Sequence, residues 1–193
     1  MDMALLGPFG VLGQERLHGA ALRFATGGRF TLGRERDARD AGNDERSRMS
    51  DEVIFERHGS TGLVILNRPK ALNALTHDMV RALYATLNEW ANLPDIRQVI
   101  VTAAGDRAFC AGGDIRYIWA TGHERYDEAV SFFRDEYRLN ALIKRFPKPY
   151  IAFIDGICMG GGVGLSVHGS HRVASEKMVF AMPETGIGFF PDV

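Results

Sequence analysis

The 193-residue chain is 46% hydrophobic and 24% charged, proportions that are typical of a globular domain with its own core. Its formal net charge of −1 provides no basic field for nucleic acid, and no apolar run approaches the roughly 20 residues that a membrane span needs. The sequence therefore predicts neither a nucleic-acid nor a membrane partner, and two reduced, buried thiols at the widely separated Cys110 and Cys158.

The first 48 residues differ in composition from the rest of the chain. They end in GRERDARDAGNDERSR (33–48), which is dense in charge and poor in large apolar side chains, and this predicts a poorly ordered extension over 1–48. A second methionine, Met49, begins a well-patterned domain over 49–193. Arginines such as Arg16 and Arg23 leave a transit peptide, and so the mitochondrial matrix, as the alternative to the expected cytoplasmic location.

The elements of 49–193 follow an α/β pattern. Short apolar runs at 53–56 and 63–66, separated by HGSTG, predict a hairpin. Thr76 can cap a helix, and Pro94 ends it. The predicted apolar face of that helix has helical spacing and consists of Met79, Val80, Leu83, Leu87 and Trp90.

Strands and helices alternate in the second half of the chain. Buried strands are predicted at 99–102 and 150–154, with one long helix at 124–145 between them. A helix at 163–167 and short strands at 172–174 and 178–180 follow. Alternation of this kind predicts an α/β fold with a largely parallel sheet.

The segment GICMGGGVGLSVHG (156–169) raises the question of why three glycines stand together. Its spacing fits neither a phosphate loop, nor a dinucleotide fingerprint, nor a nucleophile elbow. Two interpretations remain open. Gly160–Gly162 either let the backbone approach a ligand at a helix start, where free amides favour a negatively charged oxygen, or form a tight turn against a neighbour.

A second glycine-containing loop, AFCAGGDI (108–115), follows the predicted buried strand at 99–102. Two such loops can each supply one backbone amide to a single carbonyl oxygen. Such donors stabilise an oxyanion or enolate, by about 3–4 kcal/mol each. This favours the ligand interpretation of the glycines.

Three motifs in order, NRPKALNAL (67–75), AFCAGGDI (108–115) and IDGICMGGGVGLS (154–166), resemble the crotonase, or enoyl-CoA hydratase/isomerase, superfamily. The resemblance implies a spiral of ββα units, with amides at Gly113 and Gly161 that bind the thioester oxygen of an acyl-CoA. It implies no metal and no redox cofactor, because coenzyme A is part of the substrate. The apolar ending at Val193 suggests that the C-terminal part of the domain is missing, and subunit contacts in this superfamily make a homo-oligomer a further expectation.

The carboxylates narrow the expected reaction. Hydratases of this superfamily resemble one another in having Glu two residues after the glycine triplet, where this chain has Gly164. The segment PETGIGFFPD (183–192) instead offers Glu184 and Asp192, and it resembles the 3-hydroxyisobutyryl-CoA hydrolase branch. Apolar surroundings would raise their pKa values and suit them to proton transfer, whereas N-cap or turn acids are the structural alternative.

A third carboxylate, Glu136, lies on an apolar helix face. Its neighbours at helical spacing are Ala129, Phe132, Phe133, Leu139 and Ile143. An unpaired charge would be costly there, so one interpretation is an ion pair with a core arginine. The segment DEYRLN (135–140) also resembles the hydrolase branch, which implies that Glu136 binds substrate.

Together the resemblance implies hydrolysis of a short 3-hydroxyacyl-CoA, with 3-hydroxyisobutyryl-CoA of valine breakdown as the expected substrate. Glu184 acts either as the nucleophile or as the base on a water, and Asp192 binds the substrate hydroxyl or assists proton transfer. The alternatives are a hydratase or isomerase on the same fold, and a non-catalytic acyl-CoA binder or inactive fragment. His168 and His171 lack the HExxH zinc pattern and are expected to serve packing or the surface.

Overall fold

The computed structural model describes Leu5–Leu6 and residues 52–193, so the rest of the predicted 1–48 extension lies outside the described residues. The described strands are β1 (Leu5–Leu6), β2 (Val53–His58), β3 (Thr61–Leu66), β4 (Gln98–Ala103), β5 (Ala108–Cys110), β6 (Tyr150–Ile154), β7 (Ile157–Met159), β8 (His171–Ala174) and β9 (Val179–Ala181). The described α-helices are α1 (His77–Asn92), α2 (Ile115–Glu124), α3 (Tyr126–Lys144) and α4 (Gly161–Val167). The α/β class expected from the sequence is confirmed.

The larger sheet has the strand order β1-β8-β6-β4-β3-β2. The predicted hairpin is confirmed: β2 and β3 pair in antiparallel register from Val53 opposite Leu66 to His58 opposite Thr61. The strands β3, β4, β6 and β8 run parallel to one another, as the strand–helix alternation predicts. The strand β1 pairs antiparallel with β8.

A smaller parallel sheet has the order β5-β7-β9. The strands β5 and β7 have three residues each and were not predicted, and the predicted strand at 178–180 is shifted by one residue in β9. Parallel strands place their carboxyl ends at the same edge of a sheet, where ligands of α/β folds bind. The two glycine-containing loops follow the ends of β5 and β7 and therefore lie side by side.

Helix α1 packs onto the core as predicted. The side chain of Thr76 accepts a bond from the Met79 amide at 3.2 Å, which caps the helix. The five residues of its predicted apolar face are all buried. Trp90 lies directly against Gly62, where an added β-carbon would be 2.4 Å from the indole ring, so the glycine makes room for the ring on the sheet.

The prediction of one long helix at 124–145 is wrong in its N-terminal boundary and missed a neighbouring helix. The chain forms α2 and α3, which are separated at Arg125, whose φ of −140° and ψ of 70° are not helical. Helix α2 buries only Thr121, so no apolar stripe marks it in the sequence. Among the described residues, no helix combines the length and hydropathy that crossing a membrane requires.

Candidate active site

The first glycine loop is fixed by a single parallel bridge between Leu75 and Gly113. The Leu75 amide donates to the Gly112 carbonyl at 2.8 Å, and the Asp114 amide donates to the Leu75 carbonyl at 2.9 Å. This pairing does not use the Gly113 amide. The bridge therefore holds Gly113 in place while leaving its N–H outside the ladder.

Hydrogen bonds from the NRPKALNAL segment (67–75) hold this bridge in place. Arg68 donates to the Ala74 carbonyl at 2.6 Å and to Asp114 at 3.1 Å. The buried amide of Asn73 donates to the Ala104 and Ala108 carbonyls at 3.0 and 2.8 Å. These bonds hold the segment between the large sheet and β5, so the motif shapes the first loop.

The second loop turns sharply at Gly160 into α4. Gly160 has φ +48° and ψ −124°, a conformation that L side chains rarely adopt. Gly162 then packs on β5, since an added β-carbon would lie 2.3 Å from the Cys110 carbonyl oxygen. Gly161 is the first residue of α4, so its amide has no partner within the helix. Gly160 thus forms a tight turn, and Gly162 lets the backbone of α4 pack closely on β5.

The two glycine loops are in contact. An added β-carbon on Gly161 would lie 3.5 Å from the Gly113 nitrogen, and one on Gly112 would lie 3.7 Å from the Gly161 nitrogen. The two amides expected to bind a carbonyl oxygen therefore lie in the same small region. Both loops belong to the same sheet edge, which explains why residues far apart in sequence meet here.

Glu136 reaches this region from α3. The residue is only 4% exposed, and its Oε1 would be 2.3 Å from an added β-carbon on Gly161. Oε1 has no hydrogen-bond partner and the side chain forms no ion pair among the described residues, so the core-arginine interpretation is wrong there. Burial, with the nearby charges of Asp192 and Glu184, raises the pKa of Glu136 to about 8. Glu136 is therefore largely an uncharged acid at neutral pH.

Glu184 also contacts the second loop, at Gly160. Its Oε1 would lie 2.9 Å from an added β-carbon on Gly160, and its Oε2 is buried with no hydrogen-bond partner among the described residues. The residue begins a short 3₁₀ turn, Glu184–Ile187, whose N-cap residue is Pro183. The carboxylate thus lies against the glycine loop, and its catalytic role stays a prediction.

Asp192 lies in the same segment but makes a different contact. The Tyr137 hydroxyl donates a hydrogen bond to Asp192 Oδ2, and burial together with this bond raises the pKa of Tyr137. The Phe133 and Phe189 rings, 5.5 Å apart, join the same two segments. Helix α3 therefore anchors the segment that carries Glu184 and Asp192, and the charge of Asp192 acts on Glu136.

Two residues of this neighbourhood were missed by the sequence reasoning. Tyr137 bonds Asp192, and Asn140 is 7% exposed with neither amide atom bonded within the described part of the chain. Asn140 lies four residues after Glu136, on the same helix face. A polar residue repeated at helical spacing within an apolar stripe was the available signal.

The remaining candidates take no part in the site. Both cysteines are free and buried, as expected, and burial raises the pKa of the Cys110 thiol to about 12, so it stays protonated. His171 lies next to the Ser170 hydroxyl at 2.9 Å. The described residues contain no cluster of histidine, cysteine and carboxylate side chains that could hold a metal ion.

Replacing Glu136 with Gln is expected to stabilise the protein at alkaline pH. The pKa of Glu136 rises from 4.5 to about 8 on folding, so between these values the folded state binds one proton more than the unfolded state. The free energy of unfolding of the wild type therefore falls as the pH rises through this window. A neutral amide removes this dependence, and the variant should be about 2–4 kcal/mol more stable than the wild type at pH 8.5 but nearly equal to it at pH 5.

Urea denaturation at the two pH values measures this difference. The matched control is Glu128→Gln on the same helix, because the Glu128 side chain is exposed and paired with Arg125. The control should change the free energy of unfolding by less than about 0.5 kcal/mol at either pH. Equal stability of wild type and Glu136→Gln at pH 8.5 would contradict a buried, uncharged Glu136.

The sequence of residues 61–193 matches the profile of the enoyl-CoA hydratase/isomerase family. The chain belongs to this family. Two curated relatives are named 3-hydroxyisobutyryl-CoA hydrolase, mitochondrial. The one from Danio rerio is 56% identical over 147 residues and the one from Homo sapiens 54% over 144 residues. These matches cover 76% and 75% of the chain, and the chain spans only 38% and 37% of the length of these relatives.

Solved structures of family members have the same fold. A carnitinyl-CoA dehydratase from Mycobacterium thermoresistibile superimposes with a TM-score of 0.72 at 49% identity, over 74% of this chain and 42% of that one. An enoyl-CoA hydratase from Rhodobacter sphaeroides gives a TM-score of 0.70 at 43% identity, over 73% and 42%. The predicted resemblance to the enoyl-CoA hydratase/isomerase family is therefore confirmed in both sequence and structure.

Proposed function

We propose that the protein hydrolyses the thioester of a short 3-hydroxyacyl-CoA, and that 3-hydroxyisobutyryl-CoA of valine breakdown is its substrate. The observation that carries this proposal is the contact between the two glycine loops, with Glu136 against Gly161 and Glu184 against Gly160. The names of the relatives that are more than half identical support this choice of substrate.

The Gly113 and Gly161 amides would bind the thioester oxygen. Negative charge develops on that oxygen when the carbonyl carbon becomes tetrahedral, so donors held in place by the Leu75 bridge and by the start of α4 stabilise the transition state more than the substrate. The uncharged carboxyl group of Glu136 lies against Gly161, one of the two proposed donors. It adds a donor or acceptor for the bound acyl group without placing a second negative charge beside the oxyanion.

Glu184 would provide the reactive carboxylate. In one route its oxygen attacks the carbonyl carbon, the C–S bond breaks to release CoA, and water then hydrolyses the acyl-glutamyl anhydride. In the other route Glu184 takes a proton from a water that attacks directly. Both routes consume one water and yield a free acid and the CoA thiol. Asp192, bonded to Tyr137, would assist proton transfer or bind the substrate hydroxyl.

Product analysis tests the proposed reaction. Incubation of the purified chain with 3-hydroxyisobutyryl-CoA should release the CoA thiol and 3-hydroxyisobutyrate in equal amounts, as followed by a thiol reagent and by chromatography. A thiol yield equal to that of spontaneous hydrolysis would overturn the proposal. The amounts of thiol and acid formed in the presence of heat-denatured protein give the background of spontaneous hydrolysis.

Hydration or isomerisation of an enoyl-CoA is the second candidate, because the similar solved structures carry the names of a dehydratase and a hydratase. In that reaction the thiol stays bound and a new acyl-CoA appears. Gly164 argues against it, because no carboxylate stands at this position. A non-catalytic binder would show saturable heat of CoA binding in calorimetry and neither product.

The proposal extends to domain, location and partners. Residues 49–193 would form an acyl-CoA-binding unit, and coenzyme A would enter as part of the substrate. The relatives are named mitochondrial, which supports the matrix alternative over the cytoplasmic location expected from the sequence. Self-association into a homo-oligomer remains part of this proposal.

A further inference from the structure

The segment that pairs with the first glycine loop has a strained backbone. Leu72 and Asn73 have φ values of 53° and 55°, in the left-handed region that residues with side chains rarely adopt. Two such residues in succession persist only where surrounding bonds fix them. The bonds that hold residues 72–75 therefore determine where this segment lies.

The position of this segment sets the direction of the Gly113 amide. The Ala111 amide donates to the Leu72 carbonyl at 3.0 Å, and the Leu75 amide donates to the Gly112 carbonyl at 2.8 Å. The Gly112 carbonyl and the Gly113 N–H belong to one planar, trans peptide and point in opposite directions. The bond from Leu75 therefore turns the Gly113 N–H away from the segment, and any shift of Leu75 turns that N–H with it.

Arg68 joins the two paired segments through its guanidinium group. Its Nη1 donates to the Ala74 carbonyl at 2.6 Å and its Nη2 to Asp114 Oδ2 at 3.1 Å. These two partners are the chain neighbours of Leu75 and Gly113. Because the guanidinium is a planar group whose nitrogens have a fixed separation, it fixes the distance between the two segments at the bridge.

Arg68 is held at its backbone as well as at its guanidinium group. Its amide donates to Asn73 Oδ1 at 2.8 Å, and its carbonyl accepts from the Ala71 and Asn73 amides at 2.9 Å each. Its Nε lies 2.9 Å from Glu52 Oε1, and the side chain is only 19% exposed. Its charge therefore compensates Glu52 and Asp114 with little screening by water. A lysine would keep this charge but not the fixed spacing of the donors.

We propose that Arg68 is a positioning residue: by joining Ala74 to Asp114 it holds the Gly113 amide at the angle that binding of the thioester oxygen requires. The inference rests on the proposed function for the role of that amide. Arg68 acts through Leu75 and Gly113 and not on the substrate itself. Since the oxyanion forms only in the transition state, a misdirected donor lowers kcat more than it weakens substrate binding.

Kinetics of Arg68→Lys and Arg68→Gln with 3-hydroxyisobutyryl-CoA test this. Per folded molecule, each variant should lower kcat by about 10- to 100-fold and change KM by less than about 5-fold. A merely structural role would reduce the amount of folded protein and leave kcat per folded molecule unchanged. Arg68→Lys separates the charge from the fixed spacing of the donors, and it decides the matter alone if Arg68→Gln does not fold.

The vibration of a bound carbonyl measures the amide contacts directly. The probe is an isotope-labelled analogue of 3-hydroxyisobutyryl-CoA in which a methylene replaces the thioester sulfur, so that the carbonyl remains but is not hydrolysed. Hydrogen bonds from both glycine amides should lower its infrared stretching frequency in the wild type below that in water. Arg68→Lys should move the band back toward the frequency in water.

Two control variants should leave both kcat and the band as in the wild type. Arg57→Gln removes an arginine from an exposed ion pair with Asp95, in which the two side chains are 3.9 Å apart. Leu87→Ala removes buried bulk from α1 and should lower thermal stability only.

An unchanged kcat and an unchanged band in Arg68→Lys would overturn the inference, because charge alone would then suffice. A wild type that releases no thiol but lowers the carbonyl frequency would overturn the proposed hydrolysis, and the band of Arg68→Lys would still decide the role of Arg68. A wild type that does not bind the analogue, or binds it without a lowered frequency, would overturn both.

Discussion

Replacing Glu184 with Gln is expected to lower kcat/KM for thioester hydrolysis by about 10³-fold or more. An amide is neither a nucleophile nor a base, so both routes proposed for Glu184 are blocked. The shape of the side chain is retained, and substrate affinity should change by less than about 10-fold. Thiol release measures the rate. Calorimetry with a substrate analogue in which a methylene replaces the thioester sulfur, and which is not hydrolysed, measures the affinity.

A nearby carboxylate provides the matched control. Glu176 is exposed between β8 and β9, and Glu176→Gln should leave kcat/KM within about 2-fold of the wild type because surface charges act weakly through water. If Glu184→Gln retained turnover near the wild type, Glu184 would have no chemical role. If thiol release and affinity fell together, Glu184 would be a binding residue.

The substitution Gly162→Ala is expected to destabilise the protein by more than about 3 kcal/mol. Its β-carbon would lie 2.3 Å from the Cys110 carbonyl oxygen and 2.8 Å from the Cys110 β-carbon. The end of a flexible side chain could move out of the way, but the backbone of β5 cannot. Helix α4 must therefore shift away from β5, which separates the two glycine loops. Urea denaturation measures the free energy, and thiol release should fall with it.

Gly186→Ala is the control, because it measures the effect of replacing a glycine with alanine where no steric clash results. An added β-carbon there meets nothing within 4 Å, and the position has no positive φ. The free energy of unfolding should change by less than about 1 kcal/mol. Equal losses in the two variants would show that close packing of α4 on β5 is not what Gly162 provides.

The elements that the sequence predicts well are those that bury a regular apolar pattern. Helix α1 has a capping threonine and a buried stripe, and both are visible in the sequence. Helix α2 is capped by Asp114 but has no buried stripe, because it exposes Ile115, Tyr117 and Trp119, and so it was missed. The strands β5 and β7 have only three residues each, too few for periodicity. Their parallel pairing joins segments about 50 residues apart, which local sequence does not reveal.

The candidate site was predicted unevenly for similar reasons. Burial of Glu136 follows from its place in an apolar stripe, which is a local pattern. The contact of Glu184 with Gly160 is non-local, and only the family resemblance pointed to it. Among the described residues Glu136 has no arginine partner, and its burial beside two other carboxylates favours the neutral acid over the charged form. No local signal distinguishes these outcomes.

The glycines of the second loop have a consequence for how this sequence can change over evolutionary time. Four of them touch side chains or backbone from three separate segments: Gly160 meets Glu184, Gly161 and Gly164 meet Glu136 and Asn140 of α3, and Gly162 meets Cys110. A larger residue at 161 or 164 is accommodated only if its counterpart shrinks or turns away, whereas at 160 the positive φ disfavours any side chain whatever its counterpart does. At 162 no exchange of side chains helps, because the obstacle is main chain. We therefore expect residues 164 and 140 to change together across homologues, and likewise residues 161 and 136. Residue 162 should remain glycine.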